Sequence, residues 1–204
     1  ELYNHQSSQQ KTTLSIEVND AAGNTVGVFE KNMELDPGKN SLKTSVDIPN
    51  QKLWSPKSPH LYSIDISLTN GKERTDNWTH RFGMRKFTIK NNQFYLNNEP
   101  LYLKATFFEG LYPVGLAYPD SKEMAIREIQ LAKDAGFNMI RPWRKPPPKM
   151  WLDLCDEMGV LTVGSLAIEC MNRPIQSAYL PMRVENELTQ SILRDRNRTS
   201  VVLS

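Results

Sequence analysis

The residues whose types could do chemistry follow short apolar runs in the second half of the chain. Glu109 follows "LYLKATF" in "TFFEG", Arg141, Trp143 and Arg144 stand in "RPWRKPPP", and Glu169 stands in "SLAIECMNR". Two carboxylates, two guanidinium groups and an indole at one rim would suit a sugar. The charged groups offer bidentate hydrogen bonds to hydroxyls or to a carboxylate, and the indole offers a flat face to the apolar side of the ring. Each has a plainer reading as well. Glu109 reads equally as a solvated loop charge, and Trp143, next to Pro142, reads equally as packing against the following helix. Arg141 has the better case, because it comes straight after Met139 and Ile140 and a charge at the end of a buried strand needs a partner. Cys155 falls on an apolar helix stripe and reads as core rather than nucleophile. His5, His60 and His80 all lie in the first half, so no catalytic or metal role is assigned to them; no metal site and no cofactor is expected.

Positioning such a rim calls for strands alternating with helices, since parallel β/α folds gather the loops after their strands at one end. The second half has that grammar. After the hairpin "FTIKNNQFYLNNEPLYLKA", the stretch "PDSKEMAIREIQLAKDAG" sets Asp120 as N-cap with Glu123 at capping-box spacing, Ala125, Ile129 and Ala132 on one face, and Gly136 as the left-handed stop. The strand "FNMIR" follows. A second helix opens after "KPPP" and carries Trp151, Leu154, Cys155 and Met158 on one stripe before Gly159. Strand "VLTVG" comes next, then a helix with Val184, Leu188 and Ile192 at four-residue steps, then "SVVLS".

The first half alternates with period two instead: Leu14, Ile16, Val18; then Leu42, Val46, Ile48; then Tyr62, Ile64, Ile66, Leu68. Such runs, separated by "NDAAGN", "DPGKN" and "TNGK", predict antiparallel strands in a β-sandwich. "ELYNHQSS" reads as the end of a strand, so the sandwich is expected to lack its first one. Length agrees with two domains, 204 residues being fewer than the ~250 of a whole (β/α)8 barrel.

Composition narrows the partners. With 25 Lys and Arg against 23 Asp and Glu there is no broad basic surface for nucleic acid. No run approaches a membrane span and no signal-peptide pattern opens the chain, which therefore reads as soluble. The two cysteines, Cys155 and Cys170, form no CxxC pair and lie in different expected elements, which points to neither zinc nor a disulfide. The sequons "NWT" and "NRT" are short enough to arise by chance.

Several consecutive stretches carry a resemblance. "LWSPKSPHLYSIDISL", "FGMRKFTIKNNQFYLNNEPLYLKA" and "FNMIRPWRKPPPKMWLDLCDEMGVLTVGSLAIE" resemble successive landmarks of glycoside hydrolase family 2, which includes β-galactosidases, β-glucuronidases and β-mannosidases. The resemblance implies an immunoglobulin-like sandwich over residues 1–86, followed over 87–204 by an incomplete (β/α)8 TIM barrel ending in its fourth strand. It makes Trp54 a packing residue. It makes carbohydrate the partner of the full-length parent, an enzyme of the kind that polysaccharide-degrading bacteria commonly export to the periplasm or medium. Arg141 matches the family's strand-two arginine, and Glu169 a glutamate found after strand three. Arg144 replaces a sugar-contacting histidine, Gly164 and Ser165 replace an acidic pair, and Met171 replaces a histidine some members use near a metal. Arg144 could favour an acidic sugar or could pair with Glu169; both remain open.

Family members carry the acid/base glutamate in an Asn-Glu pair at the end of strand four and the nucleophile on a later strand. "RDRNRTSVVLS" resembles the approach to strand four, so both catalytic residues are expected beyond Ser204 and the chain alone is expected to be an inactive piece of a retaining glycosidase, whose two carboxyls must stand about 5–5.5 Å apart. The competing reading is a noncatalytic carbohydrate- or protein-binding module. A natural end would need a cap over the open parallel sheet, and the sequence has none, so self-association into dimers or larger species is expected.

Overall fold

The computed structural model describes residues 1–71, 73–142, 145–166 and 177–203. The chain divides into two compact units, one of Glu1–Lys52 with Leu61–Phe82 and one of Leu53–His60 with Gly83–Ser204. Residues 53–60 and 83–86, which the sequence reading placed with the sandwich, therefore pack with the second unit.

The first unit is sheet-rich. Its strands are β1 (Leu2–Asn4), β2 (Gln10–Asn19), β3 (Thr25–Leu35), β4 (Gly38–Asn40), β5 (Tyr62–Asn70) and β6 (Glu73–Phe82). An antiparallel sheet runs in the order β3-β2-β5-β6, and β1 pairs with β4. Alternation sends Leu14, Ile16 and Val18 of β2 to one face, opposite Leu68, Ile66 and Ile64 of β5. Residues 41–48 form no ladder, contrary to the strand expected there; β4 stops at Asn40. They still cover the sheet. Leu42 and Thr44 line a cavity of about 420 Å³ together with Leu14, Ile16, Ile66, Leu68 and Trp78, and a β-carbon on Gly27 would come within 2.7 Å of Val46 Cγ1 and 2.9 Å of the Asp47 carbonyl. Only glycine allows so close an approach.

In the second unit, β7 (Phe87–Lys90), β8 (Gln93–Leu96) and β9 (Glu99–Leu101) form an antiparallel meander. Its turns are the Asn91-Asn92 and Asn97-Asn98 pairs, all four at positive φ, the conformation that two-residue hairpins demand and asparagine tolerates. The apolar run "LYLKATF" does not form one strand: β9 ends at Leu101 and β10 (Ala105–Phe108) begins a separate sheet. That sheet is parallel, in the order β10-β11-β12-β13, with β11 at Met139–Pro142, β12 at Leu161–Val163 and β13 at Val201–Leu203. Helices α1 (Lys122–Asp134), α2 (Lys149–Met158) and α3 (Leu180–Asp195) make the crossovers.

The N-cap of α1 is Ser121, which accepts from the Met124 amide at 3.2 Å, one residue later than the cap read from Asp120. Asp120 instead accepts from the Gly115 amide and folds the preceding loop. Ala125 and Ile129 of α1 pack with Ile140, Trp151, Leu152, Leu154, Cys155 and Val160 into the core of this unit. Gly159 ends α2 at φ +71, where a β-carbon would meet the Pro56 carbonyl at 2.6 Å. The apolar stripe on α3 is not buried among the described residues: Leu188 and Ile192 are each about two-fifths exposed, and the buried residue of that helix is Asp195.

One end of the parallel sheet is tied down by the 53–60 and 83–86 segments. Trp54 is fully buried, its indole N–H donating to the Asp156 carbonyl at 2.8 Å. Arg85 donates to the carbonyls of Thr199 (2.8 Å) and Val201 (2.6 Å), and the Gly83 amide donates to Thr199 Oγ1. The Asp156 carboxylate accepts from the Ser200 amide at 2.6 Å, while Arg198 pairs with Asp153 and stands 3.6 Å from Asp156. Burial pushes Asp156 above the usual carboxylate range despite the Ser200 bond and Arg198. These contacts fix where β13 enters. Among the described residues no helix is long and apolar enough to cross a membrane.

Candidate functional site

The opposite end of the sheet holds the candidate residues. Phe108 and Ile140 face the helices and join the core, so alternation turns their neighbours Phe107 and Arg141, which are cross-strand partners, to the other face. Arg141 is exposed there. The strand that carries it is buried at Met139, Ile140 and Pro142, as the sequence argument expected, while the charge itself reaches solvent. The planar guanidinium carries a fork of N–H donors. Glu109 is exposed just past β10, two residues beyond the partner of Arg141, so the register brings these two to one rim. Trp143, Arg144 and Glu169 lie outside the described residues, as do Cys170 and Met171. Gly164 and Ser165, where the family pattern has an acidic pair, follow β12 at the same end.

Between the first two rim loops lies a cluster that sequence reasoning missed. Lys145 Nζ donates to the Gly110 carbonyl at 2.5 Å and to the Ala117 carbonyl, and sits 5.9 and 5.7 Å from the ring centroids of Tyr112 and Tyr118. Tyr112 donates its phenol proton to Glu128 of α1 at 2.9 Å. Burial, then the Glu128 bond, pushes the Tyr112 phenol above its ordinary value, so it remains a neutral donor. Burial raises Glu128 and lowers Lys145, each opposed by the attraction between the two. No periodicity marks such a group, because Tyr112, Glu128 and Lys145 come from a loop, a helix and another loop. Among the described residues no group of three or more His, Cys, Asp or Glu is placed to hold a metal ion.

Chemically, this rim can bind. Arg141 supplies a planar donor fork for hydroxyl or carboxylate oxygens, and Glu109 an acceptor for hydroxyl protons.

Comparison with known proteins places that rim in context. The model of "Glycosyl hydrolases family 2" matches residues 1–85, and a β-galactosidase of Leuconostoc mesenteroides is 32% identical over 174 residues, 81% of this chain. The chain belongs to glycoside hydrolase family 2. Another relative, a β-galactosidase of Thermoanaerobacterium thermosulfurigenes, is 30% identical over 205 residues and aligns with all of this family 2 chain. The chain spans 17% of the length of the first and 28% of the second. Among solved structures, a family 2 member from Bacteroides cellulosilyticus superposes with a TM-score of 0.86 at 24% identity, covering 96% of this chain and 26% of that one, a likeness of fold.

Proposed function

We propose that this family 2 chain is the immunoglobulin-like domain and the first four strands of the (β/α)8 barrel of a retaining β-glycosidase, contributing one wall of the sugar pocket. The observation that carries the reading is the rim of the parallel sheet, where the β10–β11 register sets Arg141 beside the loop bearing Glu109. In such a barrel that end is where substrate binds. Arg141 would hold hydroxyl or carboxylate oxygens of the sugar and Glu109 a hydroxyl, with Trp143, Arg144 and Glu169 expected alongside. Relatives named for galactosides, and a putative β-glucuronidase of Formosa agariphila 31% identical over 194 residues, make a β-galactoside or β-glucuronide the substrate class to try first.

Retaining hydrolysis requires two carboxyls about 5–5.5 Å apart, and of Glu109 and Arg141 only Glu109 is a carboxyl. Both catalytic glutamates are expected beyond Ser204, the acid/base in an Asn-Glu pair at the end of the strand that begins at Val201. The test is to read the frame downstream of the Ser204 codon and to assay the chain and its extension on aryl β-galactosides and β-glucuronides. An Asn-Glu soon after Ser204, turnover by the extension and none by the 204-residue chain are expected. Turnover by the chain alone, or a stop codon directly after Ser204, would overturn the reading.

A further inference from the structure

We infer that Lys145 is a positioning residue of the carbohydrate rim: its ammonium pins the loop between β10 and α1 to the loop between β11 and α2, and so fixes where Glu109 stands. The importance of the loop for a sugar rests on the proposed function; the pin itself does not.

The geometry is that of a cation cradle closed around a side chain. Two backbone carbonyls from opposite ends of the 110–117 stretch, Gly110 and Ala117, accept from one Nζ. Two tyrosine rings from the same loop flank it, and the Glu128 carboxylate attracts it from α1. An ammonium can serve all these partners at once because it has three donors and a compact charge that also attracts ring faces. Gly110 shows that the cradle is built to fit, since a β-carbon there would lie 3.0 Å from Nζ while the backbone already sits at φ +64.

The loop needs such a tie. Leu111, Val114 and Leu116 are 77%, 80% and 72% exposed, so of the apolar side chains in 111–116 only Tyr112, 7% exposed, anchors the loop by burial. Leu116 also adopts φ +54, a strained conformation for a branched, bulky residue that persists only where surrounding contacts enforce it. The Tyr112–Leu116 amide–carbonyl bond at 2.9 Å closes the turn, and Lys145 joins its two ends to the neighbouring loop. Glu109 is the residue next to the Gly110 carbonyl that the ammonium holds.

Hydrogen exchange in the 204-residue chain tests this, on Lys145→Met, Lys145→Arg and Lys145→Ala. In Lys145→Met, amides 110–118 should exchange at least about tenfold faster while those of α1 and β11 stay as in the wild type, the pattern of a local rather than global opening. Lys145→Arg should keep most of the protection. In Lys145→Ala, n-propylammonium should restore it and the neutral n-propanol should not, because the missing element is a charge. Unchanged loop exchange in Lys145→Met, or rescue by both additives alike, would overturn the pin. Should Lys145→Met not accumulate folded, Glu128→Gln substitutes for it, keeping an acceptor for Tyr112 and deleting the charge that faces the ammonium; the loop should loosen selectively, and no change would overturn the assignment. Titration of the wild-type chain with methyl β-glycosides reads the sugar separately. A loosened loop with no glycoside bound by the wild type would leave the pin standing and overturn its role at a carbohydrate.

Discussion

Replacing Trp54 by Phe exchanges a fully buried indole for a smaller phenyl ring and removes the N–H that reaches the Asp156 carbonyl at 2.8 Å. The backbone contacts of residue 54 survive: its amide still donates to the Met84 carbonyl at 2.8 Å, and its carbonyl still accepts from Asn97 at 2.9 Å. Two costs remain. A buried carbonyl loses its partner, about 1–3 kcal/mol, and a few side-chain atoms leave a void, about 1 kcal/mol at the usual cost per unit cavity volume. The sum, about 2–4 kcal/mol, falls on the second unit, where for a domain of this size each kcal/mol lowers Tm by about 3–4 °C. Every described helix lies in that unit, so ellipticity at 222 nm during urea and thermal melts reports it. The midpoint should fall with the slope in urea unchanged. Trp78→Phe in the first unit serves as control: Trp78 is 52% exposed, and its replacement should stay within about 0.5 kcal/mol. A loss below about 1 kcal/mol for Trp54→Phe would refute the reasoning that this indole is a strut between the 53–60 segment and the end of α2.

Two other outcomes follow from the described contacts. Burial raises Asp156, so the folded state binds its proton more tightly than the unfolded state, and this group's contribution to stability falls as pH rises from its unfolded value near 3.8 towards its raised folded value. Asp156→Asn keeps an oxygen for the Ser200 amide and should flatten that slope in urea melts between pH 4 and neutral; a slope as steep as the wild type's would argue against it. The exposed stripe of Leu188 and Ile192 on α3 and the outer edge of β13 should make the chain self-associate. Sedimentation velocity should show dimers or larger species for the wild type and a shift to monomer for Leu188→Glu with Ile192→Glu, whereas a monomeric wild type at high concentration would refute the expectation.

The frame of the rim is held from both ends of the parallel sheet: the 53–60 and 83–86 segments fix β13 from one end, and Lys145 ties the loops at the other.

The sequence by itself determined the elements whose signals are local. Period-two alternation marked β2 and β5, the stretch "FTIKNNQFYLNNEPLYLKA" marked a hairpin, and the four-residue spacing of Ala125 and Ile129 marked α1, because each depends on backbone geometry within a few residues. It also set Glu109 and Arg141 just past short apolar runs, where strand ends were expected. Tertiary structure decided the rest. Residues 41–48 alternate like a strand yet have no ladder, since pairing needs a neighbour and alternation alone does not supply one. Arg141 is exposed on a strand otherwise buried, because which face of a strand the helices cover depends on their packing. The stripe on α3 is apolar but open, because burial needs an opposing surface. The Lys145 cradle joins residues 110, 112, 117, 118, 128 and 145, and only the fold brings carbonyls and rings of one loop and a carboxylate of a helix around an ammonium from a second loop.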